Sequence, residues 1–459
     1  MDTLRDFVSS TCRKKVHIGT ALLPKPLFMR DPEVDGTFSN ESDDDAQDAM
    51  SVIKCATIST VDPAFDPVIT KAARDMPLTK YGQVLTSEFN AVVIEHHLKW
   101  SPLVCTLPGP IDQTAPPTNY LGRYDFHHVD TMVDFALKHN MEVKGHVLVW
   151  HVTSPPCLED MSPDEVGSAV KRHIFTTMGY FRDRIQIWDV VNEALASDGT
   201  LVENVFYRKM GPSYIEQCFR WAHEANPRAV LIYNDNKVEG CGYGSDDNPR
   251  YRKNAPLQAK SDGFYNLLKD LVGRGVPVHG AGMQAHFSAG GVKHQRPPTP
   301  SMVKRQIRRI GELGLKVNIS EMDVRVSKLP QDEALRSRAQ TCIYRDILTA
   351  ALSEPSFDGV WLWGFTDRHT WVKNFYYDDR PLIFSEVYER KDSYEGVKCA
   401  LESISPDEAK SLVNRKYIDC DVDENGIEWG HEWMQPEPSS DDNEKDSTKQ
   451  GNPDWLLPS

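Results

Sequence analysis

The chain has 459 residues, a formal net charge of −15 and 40% hydrophobic residues. This length suits either two or three average domains or one large α/β barrel, because such barrels use roughly 250 residues or more as a single domain. The acidic balance argues against nucleic acid as a partner, since nucleic-acid surfaces need clustered Lys and Arg, and no run of about 18 apolar residues is present to span a membrane.

The N-terminal segment, residues 1–15, lacks the apolar core of a secretory signal, because Asp2, Arg5 and Asp6 lie where that core would be. We expect an intracellular chain if this N-terminus is genuine, and a secreted one if the chain is a mature form or comes from a truncated gene model. Nine cysteines without a C-x-x-C pair do not support a zinc ribbon or a redox motif.

Short runs rich in β-branched and apolar residues are predicted as strands at 16–23, 84–90, 143–150, 185–191, 230–235, 278–286, 316–320 and 359–364. Segments with helical periodicity lie between most of them, for example 127–140, 213–226 and 301–314. Strands that alternate with helices predict parallel βα units, and eight of them suggest closure into a (β/α)8 TIM barrel. A doubly wound sheet is the competing architecture, but no G-x-G-x-x-G or P-loop follows a predicted strand.

Two regions do not follow this alternation. Residues 28–80 include an acidic stretch poor in apolar residues, and they are predicted to form an exposed insertion after the first strand. Residues 421–459 have the composition of a disordered acidic tail. The sequence therefore predicts a single barrel domain over 16–415, between the short N-terminal segment and the tail.

Polar or aromatic side chains stand at the ends of most predicted strands: Glu88, Trp150–His151, Asn192–Glu193, Asn234–Asp235, Gln284/His286, Glu321 and Trp363. The C-terminal ends of the strands of a parallel barrel all face one mouth, so these residues are predicted to form one site. Glu193 ends the fourth strand and Glu321 the seventh, across the mouth from each other. Two carboxylates in such a cleft can divide labour, one as a protonated general acid and the other as an ionised nucleophile or base.

The residues around this pair suit a sugar, because aromatic faces stack on sugar rings while His, Asn and Gln bind hydroxyl groups. They are Trp150, Trp188, Trp363, Trp371, His146, His151 and His286. Each of these residues, and each of the two glutamates, has a plain structural explanation when taken alone. A Glu at a strand end is often salt-bridged, and a Trp or His in a strand is often part of the core. Gln284 and His286 are harder to explain by packing, because residues two apart in a strand point to the same side and both would need buried partners.

The motifs resemble, in order, those of the glycoside hydrolase family 10 endo-β-1,4-xylanases, from about residue 16 to 402. The resemblance rests on EFNAVVIEHHLKW (88–100), GHVLVWH (145–151), WDVVNEA (188–194), YNDN (233–236), GAGMQAH (280–286), ISEMDVR (319–325) and VWLWGFTDRHTW (360–371), followed by PLIF (381–384). Any one of these motifs is weak evidence, whereas the ordered set is specific.

The resemblance implies a barrel that hydrolyses β-1,4-xylosidic bonds of xylan with retention, which requires two carboxyl groups about 5–5.5 Å apart. Glu193 would be the acid/base and Glu321 the nucleophile. Asn192 would bind the sugar 2-hydroxyl, and His286 with Asp323 would keep Glu321 ionised. The other implied residues would bind the glycone side (Glu95, His96, Lys99, His146, Trp150, Gln284, Trp363 and Trp371) or support the site (His151 and Asn234). We expect a monomer whose partner is xylan, with no metal, cofactor, nucleic acid or membrane.

Three positions depart from the family pattern: His96 replaces an Asn, Thr153 a Gln and Asn236 a Tyr. These departures affect the length of substrate that the cleft is expected to accept and the xylan side chains that it tolerates. They therefore leave an alternative, a barrel glycosidase that acts on another β-linked glucan or on short oligosaccharides. A non-catalytic saccharide-binding barrel is a further alternative. The presence of both glutamates together with Asn192 and His286 argues against it, because a binding protein needs no acid and nucleophile.

Overall fold

The computed structural model describes residues 3–11, 16–35, 77–104, 121, 124–242, 256–291, 297–376 and 378–402. Most of the predicted insertion (28–80) and the whole predicted tail (421–459) lie outside these residues, as does the end of the predicted barrel domain (403–415).

The strands form a closed parallel barrel, which confirms the predicted (β/α)8 architecture. They are β1 (His17–Leu22), β2 (Ala91–Ile94), β3 (Glu142–Gly145), β4 (Ile187–Asn192), β5 (Val230–Asp235), β6 (Gly280–Met283), β7 (His286–Ser288), β8 (Lys316–Arg325) and β9 (Phe357–Leu362). Strands β1 to β6 pair in sequence order, β6 pairs with β8, β8 with β9, and β9 closes onto β1. The short β7 pairs only along the C-terminal half of β8, so it extends the barrel at its mouth.

Helices follow most strands and cover the outside of the barrel. They are α1 (Leu4–Thr11), α2 (Pro24–Phe28), α3 (Pro32–Asp35), α4 (Lys80–Glu88), α5 (Trp100–Val104), α6 (His127–Lys138), α7 (Pro163–Tyr180), α8 (Val205–Met210), α9 (Tyr214–Ala225), α10 (Pro256–Gly273), α11 (Pro300–Gly311), α12 (Glu333–Leu352), α13 (Val372–Phe375) and α14 (Asp392–Glu402). None of these described helices is long and apolar enough to cross a bilayer.

Local signals in the sequence explain where the long helices begin. Helix α7 begins with a capping box between Ser162 and Glu165, in which each residue satisfies a backbone N–H of the other. Helix α11 begins at Pro300 after Thr299, whose hydroxyl accepts from the Met302 N–H. Helix α9 turns one apolar stripe toward the barrel, comprising Tyr214, Ile215, Cys218, Phe219, Ala222 and Ala225.

The predicted strand at 84–90 is wrong, because most of this segment belongs to α4. The Thr79 hydroxyl caps α4 by accepting from the Gly82 N–H, and the buried residues of α4 recur with helical spacing. Glu88 therefore does not reach the mouth. It is buried at the opposite end of the barrel, where its carboxylate accepts from the Leu4 N–H at 2.9 Å and from the Arg390 guanidinium at 2.6 Å.

Small residues on β1 and β2 provide space inside the barrel for large aromatic side chains. Ala21, Ala91, Val93, Trp361 and Trp363 form one buried cluster, against which Trp371 packs. A Cβ at Gly19 would collide with the Trp361 indole, so glycine is required there. This apolar cluster lies inside the barrel and extends to the strand ends that carry Trp363 and Trp371.

Candidate active site

The mouth of the barrel brings the sequence-predicted residues together. Those that follow or end strands are Glu95, His96 and Lys99 after β2, His146, Trp150 and His151 after β3, Asn192 and Glu193 at β4, Asn234 on β5, Gln284 and His286 at β6 and β7, Glu321 and Asp323 on β8, and Trp363 and Trp371 after β9. All fifteen lie at one end of the barrel because parallel strands finish on the same side.

Glu193 leaves the strand through an unusual backbone conformation. Its φ of 54° lies in the left-handed region, and its N–H donates to the Asn234 carbonyl at 3.0 Å. This turn directs the side chain into the cleft. There Oε1 accepts from Gln284 Nε2 at 2.7 Å and Oε2 accepts from Trp150 Nε1 at 3.0 Å. Both carboxyl oxygens are thus held by neutral donors.

The environment of Glu193 favours its protonated form. Burial raises the pKa of this carboxyl, and the negative charges of Asp235 and Glu321 raise it further, against the opposing effect of the Gln284 hydrogen bond. A carboxyl with a raised pKa that is buried in a cleft is suited to donate a proton.

Glu321 lies in the opposite electrostatic environment. Its Oε1 accepts from Asn234 Nδ2 at 2.7 Å, and its Oε2 lies 3.2 Å from His286 Nε2. Burial alone would raise the pKa of Glu321, but the hydrogen bond from His286, the nearby His146 and the Asn234 amide outweigh it and hold the pKa at about 2. This carboxylate is ionised at any ordinary pH.

His286 is the cation that stabilises this charge. Its Nδ1 lies 2.8 Å from Asp323 Oδ2, which also accepts from Trp371 Nε1 at 2.8 Å. Burial would lower the pKa of the imidazole, but Asp323 and Glu321 together raise it to about 10. Both ring nitrogens therefore carry protons, and each donates to a carboxylate. Asp323 fixes the ring and Glu321 receives its second N–H.

The amide side chains of Asn234, Asn192 and Gln284 connect the two carboxyl groups. Asn234 Nδ2 donates to Asn192 Oδ1 at 2.9 Å as well as to Glu321. Gln284 Nε2 lies 3.3 Å from the same Asn192 oxygen. A Cβ at Gly282 would collide with the Asn234 amide oxygen, so the glycine on β6 leaves room for this side chain. Since the Asn192 oxygen accepts these bonds, its amide N–H groups remain to face a ligand.

Aromatic and basic groups line the cleft on the side of β2 and β3. Lys99 Nζ lies 4.9 Å from the centroid of Trp150 and 6.0 Å from that of Trp363. Burial raises the pKa of Glu95 to about 7 although Lys99 opposes this shift. His146 contacts Trp363 edge-to-face at 5.2 Å. These side chains offer stacking faces and hydrogen-bonding groups, as a neutral, hydroxyl-rich ligand requires.

The residues that depart from the family pattern, and His151 near them, differ in burial and in hydrogen-bond partners. His96 is partly buried beside Lys99, and burial with this cation lowers its pKa to about 4, so the imidazole is neutral above that pH. Asn236 is buried, and its amide oxygen accepts from Lys260 Nζ at 3.0 Å. Thr153 is also buried. His151 is partly buried near Asp235, and burial lowers its pKa.

Two buried ion pairs beneath the site were not predicted. Lys144 Nζ lies 3.0 Å from Asp189 Oδ1, and Asp189 Oδ2 lies 2.9 Å from His146 Nδ1, with the Lys144 and Asp189 side chains each 1% exposed. Lys260 Nζ lies 2.9 Å from Asp235 Oδ1. Asp189 interrupts an apolar strand four residues before Glu193, and that interruption was the available signal. Lys260 lies on α10, where a lysine predicts a solvent-exposed position.

The arrangement supports acid–base and nucleophilic chemistry by carboxyl groups. No group of His, Cys, Asp and Glu within the described residues could hold a metal ion. The pKa of the Glu193 carboxyl is raised and that of the Glu321 carboxyl is lowered, and asparagine and glutamine amides join the two groups. That combination is the one needed to protonate a leaving oxygen while a carboxylate attacks on the other side.

The pH dependence of activity should follow from these two carboxyl groups. Ionised Glu321 is lost as pH falls through its pKa of about 2, and protonated Glu193 is lost as pH rises through its raised pKa. We expect His286→Ala to move the acidic limb of the kcat/KM profile to higher pH, since the His286 hydrogen bond lowers the pKa of Glu321.

The matched control is His17→Ala. His17 is also a buried histidine between two carboxylates, 2.9 Å from Glu142 and 3.7 Å from Asp358, but at the other end of the barrel. This variant should leave the acidic limb in place. An unmoved limb in His286→Ala would show that the imidazole does not set the charge of Glu321.

Comparison with known proteins finds relatives of this chain. A family model described as glycosyl hydrolase family 10 matches residues 61–400, a range that includes both glutamates. The endo-1,4-beta-xylanase B of Thermotoga neapolitana is 35% identical over 326 residues, which cover 70% of this chain and 84% of that protein. The beta-1,4-xylanase of Dictyoglomus thermophilum is 31% identical over 343 residues, covering 71% and 86%. The crystal structure of xylanase 10B from Thermotoga petrophila in complex with xylobiose superposes with a TM-score of 0.65 at 29% identity, covering 88% and 98%.

Proposed function

The chain belongs to glycosyl hydrolase family 10, and we propose that it cleaves internal β-1,4-xylosidic bonds of xylan by a retaining double displacement. The family and its xylanase relatives support an endo-1,4-β-xylanase. The single observation that carries the mechanism is the contrast between Glu193, whose pKa is raised, and Glu321, whose pKa is held at about 2. One cleft thus offers an acid and a nucleophile together.

In the first step, Glu193 transfers its proton to the glycosidic oxygen while Glu321 attacks the anomeric carbon. The bond to the leaving sugar breaks, and an ester forms between the carboxylate of Glu321 and the xylosyl unit. The proton neutralises the negative charge that builds up on the leaving oxygen. General acid catalysis of this kind raises the rate about 10²- to 10⁴-fold.

In the second step, Glu193 acts as a base toward water. The charge of Glu321 contributes to the raised pKa of Glu193, and this charge disappears once the ester has formed. The pKa of Glu193 then falls, so the carboxylate left by the first step can accept a proton from the attacking water. Water displaces Glu321 from the opposite face, and the sugar is released with its original configuration.

Asn192 and the cleft walls hold the sugar that reacts. The amide oxygen of Asn192 is fixed by Asn234 and Gln284, which aims its N–H groups at a hydroxyl of the bound ring. A hydrogen bond to the 2-hydroxyl strengthens as charge develops at the neighbouring anomeric carbon. Trp363 and Trp371 give the ring apolar faces on which to pack.

The substrate assignment is tested by initial rates on purified xylan and on mixed-linkage β-glucan. We expect xylan to be preferred, with viscosity falling before many reducing ends appear, as internal cleavage requires. The second candidate, a glycosidase for another β-linked glucan, rests on His96 and Asn236, which differ from the family pattern. A higher rate on glucan would favour it.

The control for this comparison is Glu193→Gln, prepared in parallel, because it reports any contaminating hydrolase. Binding of xylooligosaccharides without turnover by the unaltered protein would instead support a non-catalytic saccharide-binding barrel.

A further inference from the structure

The segment that carries Gln284 and His286 has a strained backbone between them. Gln284 donates to Glu193, and His286 donates to Glu321. Ala285 lies between the two with a φ of 63°, in the left-handed region that residues other than glycine rarely adopt. Both carboxyl groups thus receive a hydrogen bond from one kinked tripeptide that follows β6.

A second left-handed residue lies on the neighbouring loop after β5. Lys237 has a φ of 56°. Left-handed conformations at non-glycine residues cost free energy, and they persist only where the surrounding structure holds them. Two of them side by side at the catalytic cleft indicate that something in the structure holds both.

Glu239 contacts both of these residues with one oxygen atom. Its Oε1 accepts from the Ala285 N–H at 2.8 Å and from the Lys237 N–H at 3.1 Å. The side chain is 5% exposed. Burying a carboxyl group costs free energy unless its hydrogen bonds compensate for the lost water. Its hydrogen-bond partners here include the two backbone groups whose conformation needs support, and the charged groups that face it are Lys260 and His286.

We propose that Glu239 is a positioning residue, which clamps the left-handed backbone of Lys237 and Ala285 and thereby aims Gln284 at Glu193 and His286 at Glu321. The inference deepens the proposed function and rests on it, because Glu239 acts only through residues that hold the acid/base and the nucleophile. Without the clamp, both hydrogen bonds to the catalytic carboxyl groups lengthen together.

The direction of the effect follows for each carboxyl group. The Gln284 hydrogen bond lowers the pKa of Glu193, and the His286 hydrogen bond lowers the pKa of Glu321. Loss of both bonds raises both pKa values. The acidic and basic limbs of the kcat/KM profile therefore move to higher pH in the same variant, which loss of folded protein alone cannot produce.

The test uses Glu239→Met, which keeps the length of the side chain without an acceptor, and Glu239→Gln, which keeps an acceptor oxygen without the charge. For Glu239→Met we expect kcat/KM on xylooligosaccharides to fall roughly 100-fold, the size known for small misplacements of catalytic groups, with both limbs shifted upward. Glu239→Gln should restore the limbs to their original positions and the rate to within about 10-fold of the unaltered enzyme.

The matched control is Glu88→Met. Glu88 is a buried glutamate that also accepts from a backbone N–H, but at the far end of the barrel. Its loss should lower the melting temperature and leave both limbs unmoved. A double-mutant cycle with Gln284→Ala adds a second readout: the losses from Glu239→Met and Gln284→Ala should combine to less than their product, because both remove the same contact.

Limbs at their original positions in folded Glu239→Met, or a Glu239→Gln variant as impaired as Glu239→Met, would overturn the proposal. If Glu239→Met does not fold, Glu239→Asp takes its place, since its acceptor is withdrawn by one methylene. The same upward shift is then expected at smaller size, and unmoved limbs would again overturn the proposal. Absence of hydrolysis by the unaltered chain would instead count against the proposed function itself.

Discussion

Glu321→Ala is expected to lower kcat on xylan roughly 10⁴- to 10⁶-fold, the range known for removal of a catalytic nucleophile or its triad partners. The alanine leaves no group to form the ester, while Glu193, Asn192 and the aromatic walls still bind substrate. Added azide should restore turnover of an activated aryl xylobioside, because the small anion fits the space left by the carboxylate. The product should be the α-xylobiosyl azide, since azide attacks from the side of the missing nucleophile.

The control is Glu312→Ala, which changes an exposed glutamate just past α11, at the end of the barrel away from the mouth. It should keep full activity. A fall in kcat of less than about 10-fold in Glu321→Ala would be too small for the removal of a nucleophile. A β-azide product would show that azide had entered from the other face and that Glu321 has a different role.

Glu193→Gln is expected to show a loss that depends on the leaving group. On xylan the protonated leaving oxygen is essential, and kcat/KM should fall about 10²- to 10⁴-fold, the usual contribution of a general acid. Dinitrophenyl xylobioside needs no protonation to leave, so its first step should proceed at nearly the unaltered rate. The second step lacks its base, and a burst of dinitrophenol followed by slow turnover should be seen.

Glu203→Gln is the matched control, because Glu203 is an exposed glutamate on the same loop after β4. It should behave like the unaltered enzyme on both substrates. An equal loss on xylan and on the dinitrophenyl substrate would contradict the assignment, since a general acid matters only where the leaving group needs a proton.

The barrel and its mouth could be predicted from the sequence because their signals are local and repeated. Runs of β-branched residues mark the strands, and the side chain that follows each strand lies at the mouth whatever the details of packing. Asn192, Glu193 and Glu321 stand out because a polar pair or a carboxylate ends an apolar strand. The ordered motifs then relate these residues to a single cleft.

The segment around residues 84–90 shows where local signals fail. Val84, Thr86 and Phe89 have high strand propensity, yet Thr79 caps a helix whose buried face recurs every three to four residues. Tertiary packing of that face outweighs the propensity of individual residues. Glu88 was consequently predicted at the wrong end of the barrel.

The groups beneath the cleft could not be predicted for a different reason. Lys144, Lys260 and Glu239 are charged residues that are almost fully buried, and a charge in the sequence predicts exposure. Their partners Asp189, Asp235 and the Ala285 N–H lie between 25 and 46 residues away in the chain, so only the folded barrel brings them together. Such buried charges are found from the structure, whereas the two carboxyl groups of the cleft are found from strand ends.

The most direct test of double displacement is the anomeric configuration of the first product. Proton NMR spectra recorded within minutes of adding purified enzyme to a xylooligosaccharide distinguish the two anomers before mutarotation mixes them. Double displacement through Glu321 predicts that the β-anomer of the new reducing end appears first and that the α-anomer grows in later. Initial appearance of the α-anomer would mean a single displacement by water, and it would contradict the assignment of Glu321 as a nucleophile.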